Sequence, residues 1–216
     1  MNADGRPNFL KVDAVDVTAL VAQLDAHPEL WNRNPCRLSK RGPHHETDDI
    51  FLRYKDERPN LAAGDWSNFS DEHIPSWYAS IDMLPAARPI IFSLIGKVSG
   101  EMLGGVFIYR MKPGSRIYGH VDRGWHPEYF EKFNVCLRSN PQASFIYDED
   151  AMVQAAGDVH WFRNDVRHEV VNAGDSEHIV MTVCIRMDNG ERVPPSPEGW
   201  TMDKFIEERD ACLQQS

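Results

Sequence analysis

The pattern of apolar and polar positions changes character near Gly104. Before it, Val17, Leu20, Val21 and Leu24 recur at helical spacing between Asp13 and Pro28. This predicts an amphipathic helix of about three turns with Asp13 as its N-cap. The run Ile90-Ile91-Phe92-Ser93-Leu94-Ile95, which follows Pro89, predicts a second helix that ends near Gly96. From Trp31 to Pro75 the chain is polar and turn-rich, and Asp48-Asp49-Ile50-Phe51-Leu52-Arg53-Tyr54 reads as one short strand within it.

After Gly104, short β-rich runs are separated by Gly, Pro, Asn and Asp. They are Val106 to Met111, Arg116 to His120, Phe133 to Arg138, Ala143 to Tyr147, Met152 to Ala155, Asp158 to Phe162, His168 to Asn172 and His178 to Arg186. A series of short strands with tight turns predicts a mainly β fold with flanking helices, built on a double-stranded β-helix (jelly-roll, cupin-like) core. Pro194-Pro195-Ser196-Pro197 then stops regular structure, and Met202, Phe205 and Ile206 predict a last helix. The whole reads as one domain of 216 residues, with a helical and loop layer over 1–100, the core over 104–188 and a helical tail over 189–216.

Composition narrows the functional classes. Apolar content of 42% with 26% charged residues is that of a globular chain, and no stretch approaches the roughly 18 apolar residues of a membrane span. The start, Met1-Asn2-Ala3-Asp4-Gly5, carries no basic or apolar leader. A net charge of −10 argues against a nonspecific grip on nucleic acid, so a small-molecule or peptide partner is expected. Cys36, Cys136, Cys184 and Cys212 are widely spaced and form no CxxC pair, which reads as reduced thiols in a cytoplasmic protein.

The candidate chemistry lies in His120, Asp122 and His168. Two imidazoles and one carboxylate on one face of a metal leave open positions and suit non-haem Fe(II). Nine His and nineteen Asp in this length give about 0.8 His-x-Asp by chance, so the triplet needs its surroundings. Residues two apart on a strand share a side of the pleat, which suits His120 and Asp122 to one metal. His168 opens a later strand after the turn at Arg163-Asn164-Asp165 and can approach the same point.

Around these residues the chain resembles the Fe(II)- and 2-oxoglutarate-dependent oxygenases, in particular their aspartyl/asparaginyl β-hydroxylase-like branch. The resembling text is Gly157-Asp158-Val159-His160-Trp161-Phe162-Arg163-Asn164, then His168-Glu169-Val170-Val171-Asn172. Upstream, Pro113-Gly114 leads through Ile117 into His120-Val121-Asp122, like the glycine-turned hairpin that carries the first ligands in that family. The likeness spans about Tyr109 to Arg186, and Leu20 to Tyr54 is also similar to the helical lead-in of bacterial and phage members.

The resemblance implies Fe(II) held by His120, Asp122 and His168, with 2-oxoglutarate and O2 consumed and succinate and CO2 released as a C–H bond is hydroxylated. The protein positions the groups while the cofactors supply the reactivity. Related halogenases carry a small residue in place of the carboxylate, so Asp122 favours hydroxylation of an amino acid or a peptide side chain. The family usually places an arginine about ten residues after the distal histidine, where this chain has His178.

A protonated His178 would pair with the 5-carboxylate of the cosubstrate. By the same analogy Tyr109 sits opposite His178, and Lys132 and Asn134 approach the 1-carboxylate. Arg138 shares strand parity with Asn134 and Arg186 with His178, which makes either a substitute anchor, while Trp125 and His126 are expected to line the mouth and touch substrate. His44, His45, Asp48 and Asp49 read as loop and cap chemistry rather than a second metal site. The alternatives are a cupin-like metal enzyme or sensor module that does not use 2-oxoglutarate and, with less support from the charge, a nucleic-acid oxygenase.

Overall fold

In the computed structural model, which describes residues 6–34, 42–65, 67 and 72–187, strand β4 (Gly100–Met111) shows how the layers are built. Val106 and Ile108 of this strand are buried on one face, and Tyr109 and Met111 on the other. Strand β11 (His178–Met187) does the same with Ile179, Met181 and Val183 against Val180 and Thr182. A strand covered on both faces carries apolar residues at nearly every position, which is why Ile179 to Ile185 is apolar except at Thr182.

These two strands pair at the centre of a seven-stranded sheet. Its order is β1 (Phe9–Ala14), β9 (Asp158–Phe162), β6 (Glu131–Arg138), β11, β4, β2 (Thr47–Tyr54) and β3 (Ser76–Trp77). A four-stranded sheet faces it, in the order β5 (Arg116–His120), β10 (His168–Asn172), β7 (Ala143–Tyr147) and β8 (Ala151–Met152). All ladders are antiparallel. The two sheets enclose Tyr109, Met111, Ile117, Phe145, Phe162, Val170 and Val180. This is the double-stranded β-helix that the run of short strands predicts.

A second, larger core lies on the outer face of the seven-stranded sheet. There Leu20 and Leu24 of α1 (Thr18–Ala26), Ile81 of α3 (Ser80–Met83) and Ile90, Ile91 and Leu94 of α4 (Ala87–Lys97) pack on Ile108, Val135 and Met181. Two further helices, α2 (Arg58–Ala63) and α5 (Trp125–Tyr129), stand outside this layer. Among the described residues, no helix is long and apolar enough to cross a membrane.

Several elements depart from the sequence reading, each for a local reason. The first 100 residues supply β1, β2 and β3 to the large sheet as well as helices. Asp13 does not cap α1: it lies in β1 and pairs with Lys97 at 2.6 Å, while Asp16 Oδ1 accepts the Thr18 N–H at 2.9 Å. Helix α4 starts before Pro89 because a first-turn residue has no intrahelical acceptor to lose. Pro113-Gly114 is no hairpin within a sheet. It is a type II turn, with Gly114 at φ +78° and the Ser115 N–H donated to Lys112 O at 3.1 Å, that passes the chain from β4 in one sheet to β5 in the other. The expected helix around Met202, with Cys36 and Cys212, lies outside the described residues. Cys136 is a buried free thiol pushed up to about 12 by burial, and Cys184 is buried in β11.

Gly157, at the entrance to β9, has φ +90°, and a Cβ there would meet the Val15 carbonyl oxygen at 2.6 Å. Its own carbonyl accepts the Val15 N–H at 2.9 Å, so neither backbone can retreat without losing that bond. Gly157→Ala is expected to destabilise the fold by about 2 kcal/mol or more, read as a lower urea midpoint with an unchanged slope.

Candidate metal centre

Strands β5 and β10 are neighbours, and their ladder sets His168 opposite His120. The ring centroids are 4.5 Å apart. Asp122 lies just past the end of β5 and is held by its backbone N–H, which donates to Asn164 O at 3.0 Å. Asn164 in turn donates its side-chain amide to Pro127 O of α5 at 3.2 Å. The turn after β9 thus fixes both the carboxylate loop and the short helix that follows it.

Each imidazole is oriented by the backbone two residues before it. His120 Nδ1 meets Tyr118 O at 2.8 Å and His168 Nδ1 meets Val166 O at 2.9 Å. A carbonyl only accepts, so both Nδ1 atoms carry a proton and Nε2 is the nitrogen left to face a metal. His120 Nε2 lies 3.5 Å from Asp122 Oδ1, and the ligand atoms of His120, Asp122 and His168 all lie within 4.8 Å of one another. Two imidazole nitrogens and one carboxylate oxygen, oriented in advance by backbone acceptors, fit a divalent transition metal with open positions.

The electrostatics agree with that use. Burial works to raise the Asp122 carboxyl, but the His120 imidazole and the Lys132 ammonium outweigh it and hold Asp122 far below the usual carboxylate range. Burial lowers His168 to about 4, against the upward pull of its bond to Val166 and of Asp122, so its lone pair is free at neutral pH. Lys132 Nζ donates to Asp122 Oδ2 at 2.5 Å.

Beside the triad is a cavity whose empty space, the part open to solvent included, is about 420 Å3. Tyr109, Lys132, Asn134 and Thr182 supply its polar lining with the triad, and Phe107, Ile117, Phe145, Phe162 and Val170 its apolar lining. Asn134 Oδ1 accepts the Thr182 hydroxyl at 2.8 Å across the β6–β11 ladder. Lys132 is the cavity's one lysine or arginine among the described residues.

Two cavity residues escape the sequence reading. Thr182 is a single polar side chain inside a long apolar strand, a signal that was present, as it was for Asn134. His44 lines the cavity with its ring 5.0 Å from His120 and edge-on to it. Its loop is laid along the free edge of β5, where Pro43 O accepts the Tyr118 N–H at 3.0 Å and Glu46 accepts the Arg116 N–H at 2.8 Å. Neighbouring His45 stacks on Tyr118, and Asp48 pairs with Arg110 at 2.7 Å. Among the described residues, the triad is the one group of three suited to hold a metal.

Other expected contacts are not formed. His178 lies 6.4 Å from the Tyr109 ring, but it is not among the cavity's lining residues. Its Nδ1 is 2.9 Å from Ser139 Oγ, and burial lowers it to about 4, so the protonated anchor expected at this position is a neutral imidazole. Arg138 turns to Asp25 and Glu177, and Arg186 to Glu101 and the Tyr129 ring. Trp125 stacks on Tyr129 at 4.5 Å, and buried His126 packs on Phe130 and Tyr54. Neither of the two lines the cavity.

The burial of His178 has a measurable consequence. Its pKa is 6.5 before burial and about 4 in the folded protein, so between these values the unfolded chain binds a proton that the folded one refuses. Stability is full above about pH 6.5 and falls as pH drops toward about 4, by about 3 kcal/mol from this group. Urea titrations of metal-free protein at pH 7, 6 and 5 are expected to show that decline, and a shallower one in His178→Asn.

No protein-family model matches the sequence, and a search of curated proteins gives no match. Similar solved structures include the viral collagen prolyl hydroxylase of Paramecium bursaria Chlorella virus-1, solved as a 2OG complex. It is 13% identical with a TM-score of 0.48, over 86% of this chain and 98% of that one. An oxidoreductase of the 2OG-Fe(II) oxygenase family from Burkholderia pseudomallei is 16% identical with a TM-score of 0.49, over 83% and 94%. A cupin domain from Bordetella pertussis is 18% identical with a TM-score of 0.32, over 40% and 84%. None of these three is described as an aspartyl/asparaginyl β-hydroxylase, and the functional reading rests on the side chains of the site.

Proposed function

We propose that this chain is an Fe(II)-dependent oxygenase that uses 2-oxoglutarate and hydroxylates an amino acid or an amino-acid side chain of a peptide or protein. The observation that carries the reading is the convergence of His120, Asp122 and His168 beside a cavity, with both Nδ1 atoms tied to backbone carbonyls. Bound Fe(II) would supply dioxygen activation coupled to oxidation of 2-oxoglutarate to succinate and CO2. The residues of the chain hold, orient and shield.

In this reading His120 and His168 offer Nε2, and Asp122 enters as an anion. Tyr109, Asn134 and Thr182 offer hydrogen bonds to the carboxylates of the cosubstrate, and Lys132 offers charge at the metal end. Phe107, Phe145 and Phe162 exclude water from the carbon chain between them. His44, which lines the cavity with its ring 5.0 Å from that of His120, is a polar side chain available to orient a substrate. Asp122 fills the ligand place that a halide would need, which supports hydroxylation.

One observation favours a second reading. Lys132, the one lysine that lines the cavity among the described residues, is already engaged by Asp122 while His178 is neutral, which suits a cupin-like metal enzyme that takes no dicarboxylate. Succinate formation separates the two. Protein loaded with Fe(II) is expected to release succinate from 2-oxoglutarate in air, and faster when a panel of amino acids and peptides contains the substrate, with a product one oxygen atom heavier. Iron-loaded protein that forms no succinate with any member of the panel would favour the cupin-like reading.

A further inference from the structure

The two oxygens of Asp122 are treated differently by the fold. Oδ1 is the oxygen 3.5 Å from His120 Nε2, on the side where the imidazoles converge. Oδ2 accepts from Lys132 Nζ at 2.5 Å. Lys132 reaches it from β6, in the opposite sheet from the histidines, and among the described residues its ion-pair partner is Asp122. Its side chain is only 13% exposed and that of Asp122 18%, so water competes poorly for this contact.

A carboxylate with both oxygens free tends to embrace a hard cation through both. With an ammonium seated on one oxygen, only the other is offered. We propose that Lys132 is a positioning residue that makes Asp122 a one-oxygen ligand. This keeps the position that its second oxygen would take available to a chelating 2-oxo acid. A facial set of three donors leaves three places, and a bidentate Asp122 would remove one of them. The cosubstrate needs two places and dioxygen a third, so the lysine decides whether both fit at once.

The location of Lys132 supports this role over a grip on the far carboxylate. A side chain already 2.5 Å from a metal-ligating carboxylate acts at the metal end of the cavity. Asn134, one pleat further along the same face of β6, accepts the Thr182 hydroxyl at 2.8 Å. Outer partners of metal ligands commonly change metal or cosubstrate binding by about 10- to 100-fold when removed.

The inference rests on the metal-binding reading of the triad, and the test separates the two. Difference infrared spectra of Co(II)-loaded against metal-free protein report how a carboxylate binds, because the gap between its antisymmetric and symmetric stretches is wide for one-oxygen and narrow for two-oxygen coordination. Wild type and Lys132→Arg are expected to show the wide gap. Lys132→Met, and Lys132→Gln as a second removal should the first not fold, are expected to show the narrow one with Co(II) still bound. In the same variants 2-oxoglutarate and pyruvate, which lacks the distal carboxylate, should both bind about 10- to 100-fold more weakly.

An unchanged gap in the metal-loaded Met and Gln variants overturns the proposal while leaving the metal site standing. Weaker 2-oxoglutarate with unchanged pyruvate also overturns it, and marks the lysine as a distal-carboxylate anchor. Wild-type protein that takes up no Co(II) overturns the metal reading itself.

Discussion

His168→Ala is expected to lose tight Fe(II) binding and all 2-oxoglutarate turnover together, with the fold intact. The residue opens β10 directly opposite His120, and its Nε2 is one of three donor atoms within 4.8 Å of each other. Two remaining donors make a site that water and buffer compete with on even terms, so metal affinity should fall by more than about 100-fold, beyond the loss seen for outer partners alone. Stability should change the other way or little. In the metal-free protein His168 is buried and its pKa lowered to about 4, which means folding is opposed by its desolvation at acid pH. Metal analysis after gel filtration, with urea denaturation of the same samples, checks both halves. Full iron content in the variant would show that the metal is held elsewhere.

The second large effect lies at the opposite end of β10 and concerns the fold alone. Asn172 is completely buried. Its amide donates to Met111 O at 3.1 Å, Lys112 O at 3.2 Å and Ser176 O at 2.9 Å, and its oxygen accepts from Asn140 Nδ2 at 3.0 Å and Gly174 N–H at 3.2 Å. One side chain thus closes the turn that leaves β4 and the turn that enters β11. Asn172→Ala removes these five hydrogen bonds at once from a fully buried position, each worth about 1 kcal/mol. A loss of about 3 kcal/mol or more in urea is expected. Asn172→Leu should fall as far, because filling the space does not restore the bonds. A change under about 1 kcal/mol in either variant would mean that water replaces the side chain.

The parts of the architecture that were legible in the sequence are those where one local rule decides. The bounds of β5, β7, β9 and β10 follow from turn residues on both sides of a short β-rich run. The convergence of His120, Asp122 and His168 was legible from their spacing together with the surrounding text that resembles a known family, although Asp122 lies past the end of β5, where the pleat no longer sets its side. Edge elements were not. The two faces of β1 are both half exposed and β3 has two residues, so neither leaves a periodic trace, and their pairing is decided by β9 and β2.

The site shows the same division. Lys132 and Asn134 face the cavity as strand parity requires, whereas His44 reaches it through a loop whose position is set by hydrogen bonds to β5, 70 or more residues away. His178 has the right strand and the right parity, but burial beside Ser139 decides its charge. Trp125 and His126 follow the ligands closely in sequence, and α5 turns them into a packed aromatic cluster instead. Position along a strand was readable, and depth and partner were not.

The central claim is that His120, Asp122 and His168 hold Fe(II) with places left for a 2-oxo acid. Anaerobic titration of the Fe(II)-loaded protein with 2-oxoglutarate, followed by visible absorption, tests it most directly. The account predicts a metal-to-ligand charge-transfer band that saturates at an equimolar ratio in wild type and is absent from His168→Ala. Iron bound at the triad with no band at any 2-oxoglutarate concentration would contradict it.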